Sequence, residues 1–128
     1  MIYTIFDRTF QLGMKAGNYF LGYRMPEYIE GPGCIKDLPA MILSKGVDNV
    51  LLVTDKGILD IGLTKSLEEA MKKEGLSYTV FSDLQPNPTD ENIEAGFKVF
   101  KDQNCKGIIA FGGGSAMDCA KGIAAKNA

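Results

Sequence analysis

The stretch Gly107-Ile108-Ile109-Ala110-Phe111-Gly112-Gly113-Gly114-Ser115-Ala116-Met117-Asp118-Cys119-Ala120-Lys121 decides the fold. An apolar, β-favouring run feeds three consecutive glycines, and Ser115 and Asp118 behind them stand at the spacing of a helix capping box. The order predicts a strand, a tight loop and a helix N-terminus. Gly112, Gly113 and Gly114 permit positive φ and place no Cβ in a ligand's way, while the first helical turn offers unpaired N–H groups and a partial positive charge. An anion, above all a diphosphate, suits such a turn. So does a close strand-to-helix connection with no ligand, and Asp118, whether or not it serves the capping box, brings a negative charge nearby. The G-x-G-x-x-G fingerprint itself is absent, because Met117 stands where its last glycine would be.

Upstream, the same strand-then-helix order recurs. Asn49 to Thr54 carries the continuous apolar run Val50-Leu51-Leu52-Val53, as in a parallel strand covered on both faces. Leu63 to Glu74 reads as a surface helix with Leu63, Leu67, Ala70 and Met71 on one face, a Glu68/Lys72 pair at i,i+4 among its solvated charges, and Gly75 at its end. Ser77 to Phe81 is the second strand. A loop with two prolines, Asp83 to Thr89, leads to a helix capped by Thr89 whose buried stripe is Ile93, Phe97 and Phe100 and which frays near Gln103-Asn104. The third strand runs from Lys106 to Phe111, and the last helix from Ser115 toward Ala128. Strand-helix units of about 25 to 30 residues are the βαβ period. They predict an α/β parallel sheet whose strand ends, Asp55, Asn87 and Gly112 to Ser115, meet at one edge.

Two of those positions allow two roles each. Asp55 can cap the short helical turn Lys56 to Asp60, or accept hydrogen bonds from a ribose diol while repelling a 2′-phosphate, which favours NAD over NADP. Asn87, held extended by Pro88, is either a turn residue or an amide facing the same crevice. Nearer the start, Tyr28-Ile29-Glu30 reads as a short strand turned by Gly31-Pro32-Gly33, and Asp37 as the cap of a helix to about Ser44 with Pro39 in its first turn and Gly46 closing it. Residues 4 to 16, with Tyr3, Phe6, Phe10 and Met14 at helical spacing, read as an amphipathic helix ending near Gly17, suited to packing on its own domain or a sister subunit, or to docking on an assembly or compartment shell. Asp7, Arg8 and Lys15 break any signal-peptide core, and no apolar run reaches the roughly 20 residues of a membrane span.

Composition excludes other classes. The chain has 128 residues, 45% of them hydrophobic and 23% charged, the balance of a single globular domain. A net charge of −2 with interspersed signs offers no basic face for nucleic acid and no polybasic membrane patch. Three cysteines, Cys34, Cys105 and Cys119, make a poor disulfide framework, so reduced thiols and a cytoplasmic location are expected, with Cys119 a small core residue. There is no histidine to activate a thiolate.

GGGSAMDCAK resembles the glycine-rich motif of the iron-containing (group III) alcohol dehydrogenases. Glu30-Gly31-Pro32-Gly33, Leu51-Leu52-Val53-Thr54-Asp55-Lys56-Gly57 and Pro86-Asn87-Pro88-Thr89 agree with that family in order and spacing, over roughly residues 26 to 128. Glycerol dehydrogenases usually have Lys where Ser115 stands, and dehydroquinate synthases diverge after the third glycine. The resemblance implies a Rossmann-like parallel sheet flanked by helices, of the dehydroquinate synthase-like N-terminal type, in residues 26 to 128, with residues 1 to 25 an extension. It implies that the glycine motif, Gly112 to Ser115 with Asp118, holds the pyrophosphate of NAD(P), that Asp55 selects NAD, and that Asn87 contacts the cofactor. It implies Fe²⁺ or Zn²⁺ bound through one aspartate and three histidines of a following helical domain. This chain, without histidine, holds no such ligand set and is expected to be truncated before that domain, binding the dinucleotide but largely inactive on a small alcohol or aldehyde by itself. The strand that follows the last helix in the family would also be missing, so homo-oligomerisation or association with a longer chain is expected. Two other functions fit the residues: a non-catalytic assembly subunit, or a generic nucleotide-binding module.

Overall fold

Val50, Leu51, Leu52 and Val53 point alternately to the two faces of one strand, and all four are buried, which demands cover on both sides. The computed structural model describes residues 30–128 and shows what covers them. In chain order the body Gly33–Ala128 contains a 3₁₀ turn (Cys34–Asp37), α1 (Leu38–Ser44), β1 (Asn49–Thr54), α2 (Lys56–Asp60), α3 (Lys65–Glu74), β2 (Ser77–Phe81), α4 (Asp90–Asp102), β3 (Gly107–Phe111) and α5 (Gly114–Asn127). The three strands form a parallel sheet in the order β2-β1-β3. Leu52, at its centre, lies opposite Val80 on one side and Ile109 on the other. The fold is α/β and Rossmann-like, with helices on both faces of the sheet.

One face carries Leu51 and Val53, packed with Phe81, Phe100, Cys119 and Ile123 under α4 and α5. The other carries Val50 and Leu52, packed with Leu67, Met71, Leu76 and Ile109. Ile35, Leu38 and Ile42, from the 3₁₀ turn and α1, complete that second layer. Each fully buried aliphatic side chain contributes about 1.5–3 kcal/mol, so the sheet centre anchors the domain. On the first face α4 and α5 approach through a reciprocal fit. A Cβ on Gly96 of α4 would stand 2.4 Å from Ile123 Cδ1 of α5, and one on Gly122 of α5 would stand 2.6 Å from Ile93 Cδ1 of α4. Each glycine thus seats the other helix's isoleucine.

Several expectations are corrected. Leu63 lies not on the buried face of a helix but in the turn before it, 56% exposed, because Gly62 takes a left-handed φ of 79° and the helix starts only at Lys65. Asp37 sits at the N-cap of α1 without a side-chain cap bond; the 3₁₀ turn leads straight into the helix, leaving Asp37 with helical φ/ψ of −85° and −16° instead of the extended backbone that capping uses. Glu68 is not simply solvated: its carboxylate accepts from Thr64 Oγ1 at 2.9 Å and from the Tyr78 hydroxyl at 3.2 Å, tying α3 to β2. Partial burial, and then the Glu68 charge, raise the Tyr78 pKa. β3 starts at Gly107, one residue later than the pattern suggests.

Other expectations hold. Gly75 closes α3 with φ of 78°, Pro39 lies in the first turn of α1, and Thr89 forms a full capping box with Asn92. Cys119 is a buried core residue, and burial raises the pKa of the Cys105 and Cys119 thiols, which disfavours the thiolate. The expected helix over residues 4 to 16 and nearly all of the strand Tyr28-Ile29-Glu30 lie outside the described residues; Glu30 itself is described and is not in a strand.

Candidate functional site

α3, between β1 and β2, packs on one face of the sheet and α5, which follows β3, packs on the other. Between strands whose exits diverge in this way a crevice opens at the carboxyl edge. Here it is a cleft of about 360 Å³ lined by Asp55, Lys56, Gly57, Leu84, Gln85, Pro86 and Ser115. All three strand exits contribute, as the parallel topology requires.

Asp55 leaves β1 with an extended backbone and caps α2, its Oδ1 accepting the Ile58 N–H at 2.8 Å. The capping role therefore exists in the fold, and the same carboxylate lines the cleft. Its other oxygen, Oδ2, stands 3.4 Å from where a Cβ on Gly112 would be, so the carboxylate reaches from the start of α2 toward the glycine turn.

The three glycines divide the work. Gly112 alone has φ in the left-handed region, 138°, and a Cβ there would stand 2.9 Å from Ile58 Cδ1. Gly113 is extended, with φ of −86°, and Gly114 is the first residue of α5; a Cβ on either would meet nothing within 4 Å. Gly112 is thus a requirement of the turn, whereas Gly113 and Gly114 keep space open above it.

The capping box expected from Ser115 and Asp118 does not form. Gly113 takes the N-cap position, so α5 begins one residue early and Ser115 falls at its second position, where backbone geometry no longer lets its hydroxyl cap. The Ser115 hydroxyl instead donates to the Pro86 carbonyl across the cleft. No side chain caps the first turn of α5, leaving the N–H groups of Gly114, Ser115 and Ala116 without an intrahelical acceptor. Those donors, the positive end of the helix dipole and exposed Lys56 favour an anion.

Gly112, Gly113, Gly114, Asn87 and Asp118 are exposed and are not among the residues lining the cleft, which the glycine motif reaches through Ser115. The wall beside β2 is built by Leu84, Gln85 and Pro86 instead. Topology placed this loop at the edge, but which of its residues turn inward depends on Leu84 packing against the core and on Ser115 reaching Pro86. Lys56 is not among the positions singled out from the sequence, and its place beside Asp55 is the signal that could have found it. Among the described residues no group of three His, Cys, Asp or Glu side chains could hold a metal ion, and the chain has no histidine. Among them, too, no helix is long and apolar enough to cross a membrane.

Known proteins are similar to this chain in sequence and fold. The chain is 38% identical over 94 residues to alcohol dehydrogenase 4 of Schizosaccharomyces pombe, an alignment covering 73% of this chain and 22% of that protein. The crystal structure of a 1,3-propanediol oxidoreductase superposes with a TM-score of 0.70 at 34% identity, over 78% of this chain and 28% of that one. A sulfoacetaldehyde reductase from Bifidobacterium kashiwanohense, solved in complex with NAD⁺, superposes with a TM-score of 0.66 at 29% identity, over 77% of this chain and 27% of that one. The chain thus spans about a quarter of the length of these relatives. The family model described as iron-containing alcohol dehydrogenase matches residues 26–128, taking in the whole sheet, the glycine turn and the cleft. A family model matched along most of the chain, with relatives alike in sequence and in the fold of the sheet, places the chain in the iron-containing alcohol dehydrogenase family.

Proposed function

We propose that the cleft binds the diphosphate and adenosine ribose of NAD, and that residues 26–128 are the nucleotide-binding portion of an alcohol dehydrogenase. The observation that carries this reading is the first turn of α5: uncapped, free of Cβ atoms at Gly113 and Gly114, and contributing Ser115 to a cleft that contains a carboxylate. A volume of about 360 Å³ lies at the lower end of the range of small-molecule sites, roughly 300–1,000 Å³, and suits part of a dinucleotide. The first-turn amides bind the phosphate oxygens, and the Asp55 carboxylate accepts from the ribose hydroxyls while disfavouring the 2′-phosphate of NADP. The NAD⁺ complex of the related sulfoacetaldehyde reductase supports the choice of cofactor.

Bound NAD supplies a hydride acceptor at its nicotinamide ring; this chain's residues bind and orient the other end. The described residues do not fit the family's metal, so no step of alcohol or aldehyde chemistry is assigned to them. We expect the isolated chain to bind cofactor and to turn over little substrate. β2 and β3 each pair only with β1 among the described residues, which supports association with a second copy or a longer chain.

Titration with NAD, followed through backbone amide chemical shifts, tests the site. The largest shifts are expected at Gly113 to Ala116 and Asp55 to Gly57. Saturable shifts confined to other residues, or ADP binding as tightly as NAD, would replace this reading with a generic nucleotide module.

A further inference from the structure

Loop 83–89 is held near both ends by α4. The Asn92 side chain donates to the Asp83 carbonyl at 3.5 Å, and the Thr89 capping box closes the far end. Leu84 packs against the core, but Gln85, Pro86 and Asn87 are exposed. The hydrogen bond that reaches this middle section comes from across the cleft, from the Ser115 hydroxyl to the Pro86 carbonyl, joining residues 29 positions apart. Both residues line the cleft, where they come from different strand exits.

A serine hydroxyl has one proton to donate. While Ser115 gives it to Pro86, it cannot also give it to a phosphate oxygen. Resting on the dinucleotide reading above, we propose that Ser115 is a positioning residue: it latches the Gln85-Pro86 wall to the N-terminus of α5 and sets the width of the cleft, while backbone amides carry the diphosphate. In this role the Ser115 side chain acts through the loop and not as a donor to the ligand. The family resemblance groups Ser115 with the phosphate-holding motif, and the geometry leaves that task to its backbone N–H and assigns its hydroxyl to the loop.

The test compares the full chain with Ser115→Ala and Ser115→Thr, read first without nucleotide. Loss of the hydrogen bond should move the Pro86 carbonyl carbon and Asn87 amide nitrogen resonances in Ser115→Ala, and Ser115→Thr, which keeps a hydroxyl, should return them toward the parent values. A loop bond of ordinary strength then predicts about fivefold weaker NAD binding in Ser115→Ala, restored in large part by threonine. Unchanged Pro86 and Asn87 resonances in Ser115→Ala would overturn the latch whatever happens to NAD, and so would moved resonances with unaltered affinity. Ser115→Ala weakening NAD with an undisturbed loop would return Ser115 to a direct phosphate contact. If the parent chain binds no NAD, the dinucleotide reading fails by itself, and the nucleotide-free resonances alone decide whether the latch stands.

Discussion

Substituting alanine at two adjacent glycines should produce opposite results. At Gly113 a Cβ meets no atom within 4 Å and the backbone is already extended at φ of −86°, so Gly113→Ala fits the folded chain and restricts the unfolded one. Its expected effect on stability lies between none and a gain of about 0.4–1 kcal/mol. At Gly112 the left-handed φ of 138° and a contact of 2.9 Å to Ile58 Cδ1 act together. Backbone strain costs about 1–3 kcal/mol and overpacking about as much again. Urea denaturation at constant slope separates the two variants by their midpoints. NAD titration should reverse the order of severity per folded molecule: the methyl of Gly113→Ala occupies the space assigned to the diphosphate and displaces one or two charged hydrogen bonds. At about 1.5–3 kcal/mol each, that is a loss of at least tenfold in affinity. A stable Gly113→Ala chain with the parent's NAD affinity would refute the placement of the anion, and a neutral Gly112→Ala would refute the turn geometry.

Asp55→Ala removes both the cap on Ile58 and the cleft carboxylate, and should lose about 0.5–2 kcal/mol of stability; Asp55→Asn keeps an acceptor for the cap and should hold stability while narrowing the preference for NAD over NADP, measured as a ratio of dissociation constants. Gly96→Ala and Gly122→Ala gain helix propensity but push against Ile123 and Ile93, and the net loss should be about 1–2 kcal/mol in each, read from denaturation midpoints. The raised Tyr78 pKa means that its contribution to stability is complete below the ordinary tyrosine pKa and is lost as the pH rises through the folded value. Glu68→Gln should lower that folded pKa only in part, since burial is its larger cause; a return to the ordinary value by NMR titration would show that the Glu68 charge dominates.

The local pattern of the chain determined the strands, the helix stops and the parallel topology, because each rests on short-range chemistry: the unbroken apolar run at Val50-Leu51-Leu52-Val53, the left-handed glycines at Gly46 and Gly75, and the capping box at Thr89. It also determined that Asp55, the loop after β2 and the glycine turn meet, since parallel strands bring their carboxyl ends to one edge. Tertiary structure alone decided which atoms face one another there. Ser115 has the spacing of a cap yet reaches Pro86, because the carbonyl that accepts its hydrogen bond is brought near only by folding two strand-helix units together. Gly112 and Gly113 are indistinguishable as letters, and their roles separate only once Ile58 packs beneath one and nothing packs above the other. Spacing along a chain records what neighbours can do for each other; the contents of a cleft depend on residues brought together from distant parts of the sequence.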